Sequence, residues 1–242
     1  MKVDAKTLVY IQNVVKTAQL VKIGNIIIEP DKVRAIDDEK SVVLFQDEDV
    51  PAMPFGSIGL NRIDVFMNRF ELARSADKFE IEAIMPESKD NNAPQFARAI
   101  VMKGKGMKID YRCANPATIQ APKQINDTLK YQIQMNNDVV SLMAKGQTAM
   151  NSDDVSIISN KDGVSFEITD INSDAMNYKF SDGVDLVDVK ADQDDTEFSF
   201  KYPLKVILPL FKAAPSAPFF ISTKGMLKII VNELDMFVLP RV

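Results

Sequence analysis

Histidine is missing altogether from the 242 residues, and cysteine occurs once, as Cys113. The first absence removes the commonest general base, the commonest metal ligand and the usual partner of a serine or cysteine nucleophile. Most familiar hydrolase chemistry is therefore disfavoured, and the chain reads as a non-enzyme. The second excludes an intramolecular disulfide and a cysteine-clustered zinc site, in keeping with a reducing compartment. No GxxxxGK[ST] and no GxGxxG after a strand is present, and "KGKG" at 103–106 is too short and isolated to cradle a phosphate. Neither cofactor nor metal is expected. Long apolar runs are lacking too: "VILPLF" and "LKIIV" fall far short of the roughly 20 residues that cross a bilayer. The opening "MKVDAKTLVYIQ" has an acid at position 4 and no apolar core of a secretory signal. A cytoplasmic protein without a membrane partner is the expectation, the cytoplasm being a host cell's if the source is viral.

Carboxylates are plentiful, notably Asp37, Asp38 and Glu39, then Asp192, Asp194 and Asp195. Both runs lack the glycine and closing glutamate of a calcium loop, so they read as solvated turns.

What is present is a pattern in fours. Residues 4–19 place Leu8, Ile11, Val15 and Ala18 on one helical stripe, with Lys6, Asn13 and Lys16 turned away. Residues 60–78 gather Ile63, Phe66, Phe70 and Ala73, leave Arg62, Arg69 and Arg74 outside, and offer Asn61 as a cap. A third segment, 136–150, turns Val139, Leu142 and Met143 inward and Lys145 outward. The fourth, 202–214, begins near Pro203 and has Pro209 inside, which predicts a short or kinked helix. Short alternating strands fill the intervals, as in sheets with one face against helices.

The halves repeat. "NIIIEPDKVRAID" after the first helix resembles "VSIISNKDGVSFEITD" after the third: strand, acidic turn with a lysine, strand. Residues 1–112 and 129–242 are therefore expected to be two copies of one domain, with 113–128 as the connector. Pro116 and Pro122 bias Asn115 and Ala121 toward extended backbone, which suits a crossover lying along a surface. Ala117, Ile119, Ala121 and Ile125 give it something with which to dock.

The net charge is −5, which by itself argues against a general nucleic-acid binder. Its distribution argues otherwise. Residues 29–49 hold eight acids against three bases, and 182–197 hold seven acids against Lys190. The fourth helical segment with its approach carries Lys201, Lys205 and Lys212 with no acid between them. Any one of these lysines is explained by solvation of an outer helix face. If all four helices lie on one side of the sheets, their lysines and arginines form one positive surface, which would attract phosphates without reading bases.

These residues resemble the sliding DNA clamps, the polymerase processivity factors. "YRCANPATIQAPKQI" is similar to the interdomain connector of the clamps of T-even-type phages. "FKAAPSAPFFISTKGMLKIIVNELDMFVLPRV" resembles the last helix, strands and tail of the eukaryotic and archaeal proliferating cell nuclear antigen family, and "KDGVSFEITD" a strand-turn-strand segment of its second domain. The resemblance implies an α+β fold of two similar processivity-fold domains, each with two helices on antiparallel sheets. It also implies a head-to-tail homotrimeric ring joined through "GMKIDYR" and "AMNYKF". Sequence-independent contacts to double-stranded DNA would come from Lys6, Lys16, Arg62, Arg69, Arg74, Lys145, Lys201, Lys205 and Lys212. DNA polymerase and clamp loader would bind a patch made by Ile36, Val43, Ile119, Ala121, Pro122, Val238, Leu239 and Pro240, each of which also reads as core or docked tail. Late-transcription factors are further partners on the same patch. A non-enzymatic β-rich structural or assembly protein, or a clamp-like transcription co-activator, is the alternative.

Overall fold

The computed structural model describes residues 3–51, 53, 56–86, 96–160, 163–180, 184–186 and 197–241. Two compact units divide the chain, Met1–Gln124 and Ile125–Val242.

In the first unit, α1 (Ala5–Leu20) starts where the Asp4 carboxylate accepts the Thr7 amide at 2.8 Å, satisfying a free donor of the first turn. It ends as Lys22 takes a left-handed φ of 60°, with the Lys22 and Ile23 amides reaching back to Gln19 and Ala18. Ile11, Val15 and Ala18 of the expected stripe are buried, joined by Val14, while Leu8 is half-buried. Strands β1 (Asn25–Ile28), β2 (Val33–Ile36) and β3 (Val42–Gln46) form an antiparallel meander, and β4 (Ile58–Asn61) returns to pair with β1. The order is β3-β2-β1-β4. Helix α2 (Ile63–Arg74) buries the four residues its spacing predicts, and Met67 as well. A second meander, β5 (Glu80–Ile84), β6 (Ala99–Gly104) and β7 (Met107–Arg112), completes the unit. Aromatic contacts tie helix to sheet: Phe66 meets Tyr111 edge-on at 5.1 Å, and Phe70 meets Phe79 at 5.5 Å.

The second unit repeats this plan. After β8 (Leu129–Gln134) comes α3 (Asn137–Met150), whose cap Asn136 accepts the Val139 amide at 2.9 Å. Strands β9 (Asp154–Asn160), β10 (Gly163–Thr169) and β11 (Ala175–Lys179) form a meander, β12 (Val184–Leu186) pairs with β8, and β13 (Phe198–Pro203) returns to β9. The order β11-β10-β9-β13 matches β3-β2-β1-β4. Then α4 (Leu204–Ala213) leads into the meander β14 (Pro218–Ser222), β15 (Leu227–Val231), β16 (Leu234–Val238), as α2 leads into β5 to β7. Strand β8 borders β14, and in the corresponding place the Val3 amide donates to Ile81 of β5. The repeat is thus one of topology: two similar α+β domains, each with a helix pair, α1 on α2 and α3 on α4.

Several local expectations change. Asn61 does not cap α2; it ends β4, and its carbonyl oxygen accepts the buried Tyr111 hydroxyl. Arg62 takes the cap position, in a left-handed conformation with φ 57° and no side-chain cap bond. Helix α2 stops at Arg74, short of the expected 78. Helix α4 is short, as expected, at 10 residues; it runs through Pro209, which has no N–H to give the Lys205 carbonyl. Strands β4 and β12 were not expected.

The connector is docked along its first half. Ala114 bridges to Gly59 of β4, its amide donating to the Gly59 carbonyl at 2.8 Å. A Cβ at Gly59 would run into the Ala114 carbonyl, so glycine permits this close approach. Asn115 caps a single 3-10 turn, Pro116–Thr118, by accepting the Ala117 amide at 3.0 Å. Farther on, Arg34 holds the Pro122 carbonyl at 3.1 Å while gripping Glu29 in a two-point bond of 2.7 and 3.0 Å.

Candidate nucleic-acid interface

Charge separates by element. The four helices hold seven bases (Lys6, Lys16, Arg69, Arg74, Lys145, Lys205, Lys212) against three acids (Asp64, Glu71, Asp138). That is a net positive set in a chain of net charge −5. Six of the seven bases are exposed, and Arg69 is half-buried.

In the first unit, α1 and α2 run antiparallel, with a polar seam between them. Gln19 Nε2 donates to Asp64 at 2.7 Å, and Gln12 Nε2 donates to Glu71 at 3.0 Å. Both members of each rung lie seven residues from their counterparts, two turns along the same helix face. Gln12 also accepts from Arg74 Nη1 at 2.9 Å, and Lys16 Nζ stands 3.7 Å from Glu71. Arg62 and Arg69 instead reach β7: the Arg62 guanidinium lies over the Tyr111 ring at 5.8 Å, and Arg69 donates to the Asp110 carbonyl at 3.2 Å. The sequence reading marked these cations but not the two acids and two glutamines among them. Their heptad spacing on neighbouring helices was the available signal.

In the second unit, Lys145 is exposed on α3 and Lys205 and Lys212 on α4. The helix α3 approaches closely at Gly146, where a Cβ would meet Met176 and Ile168. Lys201 departs from the expectation, being a strand residue of β13. Ile168 and Phe166 are two apart on β10, and Phe166, Ile157 and Phe200 follow one another across the sheet, all on the face that α3 covers, and Lys201 alternates with Phe200. Lys201 therefore stands on the face away from the helices, and it leaves the helical set.

Of the residues expected to meet partner proteins, Ile36 and Val43 are cross-strand neighbours on β2 and β3. Val43 and Val238 are buried core residues, so the core alternative holds for both. Ile36, Ile119, Ala121, Pro122 and Pro240 are half-buried, and Leu239 is 41% exposed. The last described residue, Arg241, ties the tail down: its amide donates to the Lys201 carbonyl at 2.7 Å and its guanidinium meets Asp154 at 2.6 Å.

Two strand edges complete the inventory. Within their sheets β7 pairs with β6 and β11 with β10, each leaving its other side without a partner strand among the described residues. The Cys113 amide donates to the Arg98 carbonyl. In the β6–β7 register this makes Lys108, Asp110 and Arg112 the positions whose backbone groups point away from β6.

Among the described residues no group of three or more Cys, Asp or Glu side chains converges to hold a metal ion. Asp37 instead accepts the Ser41 and Val42 amides, both at 2.7 Å, and closes the β2–β3 turn. Asp192, Asp194 and Asp195 lie outside the described residues. No helix among them is long and apolar enough to cross a membrane.

No protein-family model matches the chain, and no curated protein matches it. Solved structures do. The PCNA of A. fulgidus, solved with the C-terminal region of FEN-1 bound, superposes with a TM-score of 0.63 at 14% identity, covering 96% of this chain and 95% of that one. PCNA from Thermococcus kodakaraensis gives 0.59 at 15% identity, with 100% and 99% covered. The proliferating cellular nuclear antigen of Entamoeba histolytica gives 0.55 at 13%, with 96% and 95% covered. The chain has the sliding-clamp fold of these proteins over essentially its whole length.

Proposed function

We propose that this protein is a sliding clamp: three copies close head to tail around duplex DNA and hold a polymerase near the primer end. The observation that carries the reading is the net positive helical set of a net negative chain that folds as PCNA does. Lys6, Lys16, Arg62, Arg69, Arg74, Lys145, Lys205 and Lys212 meet phosphates through long solvated side chains, without base readout. Retention is topological, so affinity for DNA stays low while the tethered polymerase works at high effective concentration. The unpaired edges of β7 and β11 support closure, because strand addition between copies covers both.

Polymerase and clamp loader attach through short peptides. Ile36, Ile119, Ala121 and Pro122 in the first unit, and Leu239 and Pro240 in the second, are the accessible candidates for their anchors. The A. fulgidus clamp solved with a FEN-1 C-terminal region supports a peptide-binding role for this fold.

The test is retention. Protein loaded onto circular duplex at about 0.15 M salt stays bound through gel filtration and is released when the circle is cut. Charge reversal at Lys6, Arg62 and Arg69 together lowers loading. Equal loss from circle and linear duplex, or no response to the triple reversal, overturns the reading.

A further inference from the structure

The α1–α2 seam carries a charge that a simple phosphate-binding surface does not need. Glu71 sits in the last turn of α2, where the helix dipole disfavours a carboxylate. Its contact with Lys16 is 3.7 Å long and about half exposed on both sides, an arrangement that solvent screens heavily. The ion pair with Lys16 therefore gives little reason for a charge here, and a neutral amide would accept the Gln12 donor as well. The position of Glu71 gives another. Glu71 is bonded to Gln12, which is only 7% exposed and is fixed by burial. Gln12 passes its other end to Arg74, so one carboxylate stands against Lys16 directly and against Arg74 through one amide.

We propose that Glu71 is an attenuator of the first unit's grip on DNA, offsetting Lys16 and Arg74 so that neither holds a phosphate for long. This rests on the clamp reading and deepens it. A clamp gains nothing from tight phosphate contacts, because each counterion released strengthens binding and every step along the duplex must break the contacts again. Glu71→Gln keeps the shape and leaves an amide oxygen for the Gln12 donor, so it removes the charge while preserving the rung.

Anisotropy of a labelled linear duplex, titrated across salt concentrations, reads the effect. Glu71→Gln binds several-fold tighter than wild type, and its log K against log salt slope steepens by about 0.9 to 1.8, one to two phosphate contacts. Glu71→Asp, which keeps the charge, stays near the wild-type slope. So does Glu48→Gln, an equal change of net charge at an exposed loop residue elsewhere in the same unit. A wild-type slope for Glu71→Gln, or the same steepening in Glu48→Gln, overturns the proposal while leaving the clamp reading standing. If instead reversing both Lys16 and Arg74 leaves the slope unchanged, the phosphate-facing role of α1 and α2 fails, and the attenuator with it.

Discussion

Arg34 fastens the connector at Pro122, beyond the docked first half, and nothing in its local sequence announces it. The prolines of 113–128 point to an extended crossover, but the fastening comes from a guanidinium 88 positions before Pro122. Its side chain is 15% exposed and that of its partner Glu29 is 21%, so solvent screens the pair only in part. Arg34→Ala should cost about 1–3 kcal/mol in urea unfolding and speed proteolysis at 119–124. Cleavage no faster than in wild type would show that the strap is held by Gly59 and Asn115 alone. Lys201 and Val238 teach the complementary lesson. A basic residue next to a helical segment, or an apolar one near a tail, has a type that the sequence displays and a facing that it does not. Here register turned Lys201 away from the helices, and burial took Val238 into the core.

At the scale of elements, the helices were the legible part. Apolar stripes at helical spacing located the first three, because the apolar face must meet a sheet wherever the helix lies, while the fourth was placed by its prolines. Caps were less legible: Asn61 has the right chemistry, but its carbonyl is engaged by Tyr111 from 50 residues away, and it is Asn136 whose side chain caps a helix. The proposed joining edges were marked by the resemblance, and the register now says how to test them. Asp110 has its N–H directed away from β6, so a proline there leaves the β6–β7 ladder intact and blocks strand addition. Asp110→Pro should run as a folded 27.0 kDa monomer by native mass spectrometry under conditions where wild type is a trimer. A trimer in this variant excludes β7 as the joining edge.

At the scale of the whole molecule, the missing histidine sets the pH behaviour. No side chain has an ordinary pKa between 5 and 8, so stability should be flat across that range. The alkaline side differs. Burial pushes the Cys113 thiol up to about 12, and burial aided by the nearby thiolate pushes the Tyr111 hydroxyl up to about 12. Burial raises Tyr10 and Tyr202 as well. Folded values above unfolded ones mean that these groups stabilise fully below about pH 9 and lose that contribution as pH climbs toward 12. Urea midpoints should hold level from pH 6 to 8 and fall steadily above 9; a midpoint that rises there contradicts the burial of these groups.

Composition and periodicity alone determined most of the helix positions and the duplicated order of elements, since each follows from residue type and local spacing. Only the tertiary structure decided which cations share a helical face, which carboxylates stand among them, and which backbone groups are left at a sheet edge. Those depend on pairing register and on contacts between residues far apart in the chain, and a one-residue change in register reverses every side chain it touches.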